Sequence, residues 1–178
     1  MEDFFKLGEQ LEADWRSTDY DENVFPSLAA EALRSARLHE KYSPWRVLEW
    51  TLEQTELPKQ RDLPGRFGDP PITIYSGPRF HIDVYFWFHG TTTTHQHSFC
   101  GAFQVMHGSS IHSWYEFDLK DKVNSFCEIG EMADIIRHIY PAEKAEALLP
   151  NLSDRTAAIK NSIVFSPLLN DNAHNLRP

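Results

Sequence analysis

Cysteine is nearly absent, with Cys100 and Cys127 the only two in 178 residues. That spacing gives neither a Cys-x-x-Cys pair for zinc or redox chemistry nor a disulfide framework, so both are read as buried thiols. Long apolar runs are missing as well. None approaches the roughly 20 residues that a membrane helix needs, and the opening Met1-Glu2-Asp3-Phe4-Phe5-Lys6 is charged at once, unlike a secretory segment. A cytoplasmic location with no membrane partner is the expectation. Positive charge is scarce: 17 Lys and Arg stand against 26 Asp and Glu, a formal net charge of −9. With no basic run, nucleic acid is disfavoured as a partner. What the chain does have is 41% hydrophobic and 13% aromatic residues. That is enough for one domain with a real core, or a small domain with an appended helical segment.

Apolar spacing organises the first third. Phe4, Leu7, Leu11 and Trp15 recur at helical intervals and predict a helix over residues 2–16. The polar stretch 17–23 breaks that pattern. Pro26 fits a first helical turn, and Leu28, Ala29, Ala32, Leu33 and Ala36 carry a second helix towards Tyr42. Ser43 before Pro44 makes an N-cap, and Trp45, Leu48 and Leu52 extend a third helix to about residue 55. Residues 1–57 are therefore a helical segment. Pro58, Pro64, Gly65, Gly68, Pro70 and Pro71 then crowd a linker.

Beyond the linker the period changes to two. Residues 72–75 form a short strand and residues 79–89 a long one. On the long strand Phe80, Ile82, Val84, Phe86 and Phe88 share one face, while His81, Asp83, Tyr85, Trp87 and His89 share the other. Apolar bulk on both faces implies a central or covered strand, and His81 beside Asp83 and Tyr85 reads as a hydrogen-bonded polar stripe. Further on, 118–122 is expected as a charged turn, 123–129 as a strand, 130–134 as a turn, and 135–140 and 156–165 as strands. The fold class is mainly β: a small antiparallel barrel or sandwich over residues 72–167, preceded by the helical segment and followed by a flexible tail, 168–178.

The stretch 89–117 carries the chemistry. Alternation on either side of a Gly-Ser-Ser break at residues 108–110 predicts two antiparallel strands joined as a hairpin. Within the first, His95 and His97 share a face, about 7 Å apart along the strand. An apolar floor of Phe99, Phe103 and Val105 lies below them. Imidazole is the commonest protein ligand for mid-series transition metals, so the pair is a candidate metal site. The alternative is two polar residues on a half-exposed strand. Cys100 falls on the opposite face, away from the histidines, which argues against a nucleophile.

Gly90, His95, His97 and an alternating strand to Gly108 resemble the first motif of the cupin superfamily, in which a glycine precedes a His-x-His pair and a second glycine closes the hairpin. The likeness covers about twenty residues. Many cupins place a further glutamate ligand four or five residues after the second histidine; here those places hold Gly101 and Ala102. A small residue there resembles the thiol dioxygenase branch, whose iron is held without the carboxylate. The superfamily's second motif, Pro-x-Gly-x-x-His, has as its nearest counterpart Pro141-Ala142-Glu143-Lys144-Ala145-Glu146. If Glu146 stands in the histidine's place, the resemblance implies a metal set of His95, His97 and Glu146, suited to Fe(II) or another divalent transition metal. The alternative is that residues 141–149 form a short surface helix with Glu146 solvated. His112 and His138 are other possible donors. His107 at the turn and His89 at the end of the preceding strand stand where exposed histidines are ordinary, and His39 and His174 are assigned no role.

The function implied is a metal-dependent cupin-type oxygenase, a non-haem Fe(II) dioxygenase acting on a small organic substrate to which Tyr115 could offer its hydroxyl. A non-catalytic cupin-like binding or regulatory module is the alternative. Because cupin-like barrels often pair through their edge strands, the resemblance also implies a homodimer.

Overall fold

The computed structural model describes residues 1–60, 71–86, 100–125, 127–141, 145–148, 154–156 and 162–167. For Pro71, 109–116, 133–141 and the segments after them it describes backbone path and register alone. The helices among them are α1 (Glu2–Ser17), α2 (Phe25–Ala36), the single turn α3 (Leu38–Lys41) and α4 (Pro44–Glu53). The apolar spacing of α1 buries Phe4, Leu7, Leu11 and Trp15 on one side. Ser43 caps α4 as its sequence predicts, its Oγ accepting from the Arg46 backbone N–H at 3.2 Å. The second helix does not run on to Tyr42. Arg37 adopts a left-handed conformation, φ 48°, and this break turns Leu38 fully into the core.

The strands pair antiparallel in two sheets. β1 (Pro71–Ser76), β2 (Phe80–Tyr85), β3 (Gly101–Val105), β6 (Ala145–Leu148) and β8 (Ser162–Pro167) form the larger, in the order β1-β2-β8-β3-β6. β4 (Ser109–Asn124), β5 (Cys127–Pro141) and β7 (Asp154–Thr156) form the smaller, in the order β5-β4-β7. The helices cover one face of the larger sheet. Ile72, Ile74, Phe80, Ile82, Val84, Cys100 and Ala102 join Phe4, Leu11, Trp15, Phe25 and Leu33 in a single apolar cluster. Phe25 is the hinge of that packing, its ring centroid 4.3 Å from Trp15 and 5.6 Å from Phe80.

Strand pairing corrects several expectations. The strands on either side of Gly108 are not hairpin partners. β3 pairs with β6 and β8, β4 pairs with β5 and β7, and the chain crosses from one sheet to the other at residues 106–108. Gly108, at φ 76°, makes that crossing in a conformation that costs glycine little. Neither 118–122 nor 130–134 is a turn. Both lie inside a long β4–β5 ribbon whose last pair is Asn124 with Cys127. A charged stretch is tolerated in a solvated ribbon when its charges find one another. Lys122 lies 3.1 Å from Glu128, and Lys120 is paired with Asp118. Gly130 lets the Phe117 ring lie across the ribbon, since a Cβ there would stand 2.6 Å from Phe117 Cζ. Residues 145–148 are a strand rather than part of a surface helix, because pairing with β3 overrides the helix propensity of Ala, Glu and Leu. Cys127 is exposed in that last pair, whereas Cys100 is buried as expected.

Candidate functional site

Alternation along β2 separates two environments. Phe80, Ile82 and Val84 enter the cluster shared with the helices, so His81, Asp83 and Tyr85 face the other way. They are as thoroughly buried as the apolar set: His81, Asp83, Tyr85 and the neighbouring Thr73 are each at most 4% exposed. Thr73 arrives from β1 as the direct register partner of Asp83. Its Oγ1 donates to Asp83 Oδ1 at 2.8 Å, and the Tyr85 hydroxyl donates to Asp83 Oδ2 at 2.9 Å. His81 Nε2 stands 3.3 Å from the same Oδ2. Outside this group, the Gln60 side chain latches the edge of β1. It accepts from the Thr73 N–H and donates to the Thr73 carbonyl, each at 2.9 Å.

The rung through Asp83 crosses the whole larger sheet. Thr73 pairs with Asp83, Asp83 with Val164, Val164 with Phe103, and Phe103 with Glu146. At the usual strand spacing, Asp83 and Phe103 are about 10 Å apart and Asp83 and position 146 about 14 Å. Phe103 and Val105 are fully buried yet stand outside the helix-facing cluster, on the side that carries the polar group. His95 and His97, the predicted metal pair, lie outside the described residues. Glu146 is placed by its backbone on β6, opposite Phe103. Tyr115 belongs to the other sheet, where its register partners are Asp134 and Arg155. His112 and His138, the other donors considered, are direct cross-strand partners in that same sheet. Among the described residues no group of three His, Cys, Asp or Glu could hold a metal ion.

Two of the solved structures that are similar to this chain illustrate the likeness. One is a hydroquinone 1,2-dioxygenase in complex with Cd2+ and 4-hydroxybenzonitrile, at 10% identity and TM-score 0.40, covering 67% of this chain and 86% of its own. The other is a cupin-2 domain protein from Shewanella frigidimarina, at 13% identity and TM-score 0.29, covering 72% of this chain and 96% of its own. No protein-family profile matches the chain, and no curated protein sequence does. At TM-scores of that size, the description of the fold rests on the chain's own strand pairing.

The described chemistry centres on Asp83. Two hydroxyls donate to its carboxylate, which suits the ionised form, and the His81 imidazole stands beside it. The sequence pattern exposed three members of this group through the alternation of His81, Asp83 and Tyr85. Thr73 was legible only as a polar residue between Ile72 and Ile74. Cys100 takes no part: burial pushes its thiol up to about 11, with the Glu22 carboxylate charge a smaller cause, so it stays protonated near neutrality.

Proposed function

We propose that the chain is a metal-dependent cupin-type oxygenase acting on a small organic substrate, with its two sheets closing into a barrel around the site. The reading is carried by the Gly90, His95, His97, Gly108 pattern together with one feature of β3. The odd-numbered residues Phe103 and Val105 are buried on the side away from the helices, and alternation assigns His95 and His97 the same parity. The donor chemistry fits: two imidazoles with one further nitrogen or carboxylate donor suit Fe(II) and leave positions open. Glu146, His112 and His138 are the candidates for that third place. A bound ferrous ion would supply a Lewis acid at which dioxygen and substrate can be brought together. Asp83 and its donors hold β1 and β2 in register, and Tyr115 offers a hydroxyl to the substrate. We place the protein in the cytoplasm.

Metal content of the purified protein tests the proposal. Replacing His95 and His97 by alanine is expected to abolish bound metal, and unchanged content would sink the site. A second reading, a cupin-like binding module without catalysis, is favoured by Gly101 and Ala102 standing where many cupins carry a ligand glutamate. Oxygen consumption with a panel of thiols and small acids separates the two. The binding module would show ligand-dependent stabilisation without turnover.

A further inference from the structure

The helical layer carries an open groove between α1 and α2. Leu7, Gln10 and Asp14 line it from α1, and Leu28, Ala32 and Ser35 from α2, each set at the three- and four-residue spacing that shares one side of a helix. Its volume is about 750 Å³. Leu7 is buried at the floor, while Leu28, Ala32 and Ala36 are only partly buried there. The short connection over residues 18–24 makes α1 and α2 antiparallel neighbours. Charge is distributed unevenly along α1. Near its start, Asp3 accepts from Lys41 at 2.8 Å and from the Tyr42 hydroxyl at 2.7 Å, and Lys6 lies 2.6 Å from Glu2. On α2, Glu31 is already held by Arg34 at 2.7 Å. Further along α1, Asp14 accepts only the neutral Gln10 amide, at 2.9 Å, and Glu9 has no hydrogen bond or ion pair among the described residues. Asp14 stands in the last turn of α1, where the helix end adds partial negative charge.

We propose that this groove docks a basic amphipathic helix of a partner protein, about three turns long. Its apolar side would lie on Leu7, Leu28 and Ala32, with Lys or Arg beside Glu9 and Asp14. Size and charge select that occupant. From Asp3 to Asp14 the groove follows α1 for about 16 Å, three helical turns. A helix about 10 Å across and of that length occupies roughly 1,250 Å³. A groove of about 750 Å³ therefore seats somewhat more than half of it, as ridge-into-groove packing of one helix across two others requires. A second copy of this chain suits the groove poorly: with a net charge of −9, it would bring further acid to carboxylates that lack a counter-charge. Nucleic acid and anionic lipid are disfavoured for the same reason.

The test is fluorescence anisotropy of a labelled four-turn helical peptide, leucine on one face and lysine along its flanks, titrated with the full chain at low salt. It is expected to bind. A twin with glutamate for lysine, and another with serine for leucine, should each bind at least tenfold more weakly. Ala32→Lys, which puts a charge on the floor, and Glu9→Lys/Asp14→Lys, which reverses the two carboxylates, should each weaken binding about tenfold or more. Glu53→Lys/Glu56→Lys makes the same charge change outside the groove and should leave binding within about twofold of wild type. A thermal melt of each variant confirms folding, and if Ala32→Lys does not fold the charge-reversal pair decides. Sedimentation of the chain alone tests the competing occupant. No binding of the lysine peptide, equal binding of either twin, equal loss in the control, or a dimer of the chain that Glu9→Lys/Asp14→Lys or Ala32→Lys dissolves would each overturn the assignment.

Discussion

Removing the Asp83 carboxylate is the sharpest probe of how the polar side of the larger sheet is held. In Asp83→Ala the Thr73 and Tyr85 hydroxyls, now 2.8 and 2.9 Å from its oxygens, lose their acceptor in a region closed to water. Hydrogen bonds to a charged group contribute about 1.5–3 kcal/mol each, and stranding one side of a buried charged network costs about 3–5 kcal/mol in total. Tyr85→Phe removes one donor and should cost about 1.5–3 kcal/mol by the same figures. The distinguishing variant is the triple Thr73→Val/Asp83→Leu/Tyr85→Phe. It removes acceptor and both hydroxyl donors together and fills the space with carbon, so it should be more stable than Asp83→Ala alone. Urea unfolding at constant pH and ionic strength reads these differences, provided the m-value is unchanged. A cost for Asp83→Ala below about 1 kcal/mol, the size of an ordinary surface change, would refute the view that this carboxylate ties β1 to β2. So would a triple variant less stable than the single one.

Two further outcomes follow from the core. The Cys100 thiol titrates at about 11 in the folded chain against an ordinary 9.0. Its contribution is complete below about pH 9 and is lost as pH rises through about 11, at most about 2–3 kcal/mol. Unfolding free energies of wild type minus Cys100→Ala should therefore fall across that window, and a flat difference contradicts the burial argument. Phe25, fully buried between Trp15 and Phe80, joins helices to sheet. Phe25→Ala should cost about 3–5 kcal/mol and lower the thermal midpoint in one transition seen equally by helix and strand signals.

Local rules made some of this architecture legible. Helical spacing in α1, proline in the first turn of α2 and the Ser43 cap of α4 are decided by neighbours a few residues away, and all three are seen. The alternation in β2 correctly separated a helix-facing set from a polar one. The errors arose where distant pairing decides. Nothing local distinguishes a turn at 118–122 from a solvated ribbon, because Lys120 and Lys122 find their carboxylates across the strand pair as well as along it. The residues 145–148 favour a helix until β3 offers an edge. The Gly-Ser-Ser break signals a change of direction, but it cannot say whether the next strand returns beside β3 or departs for the other sheet.

That departure also bears on the third metal donor. Position 146 is opposite Phe103, and position 97 comes six residues before Phe103. An extended chain continuing β3 straight back would carry position 97 about 20 Å from that rung. A donor set that includes Glu146 therefore requires the chain to fold back between positions 97 and 101. His112 and His138 are not tied to that rung, because they belong to the other sheet, where they share a rung of their own. Metal content of Glu146→Gln set against His112→Ala turns this difference in strand path into a measurement: loss only in Glu146→Gln demands the folded-back chain, and loss only in His112→Ala places the metal between the sheets.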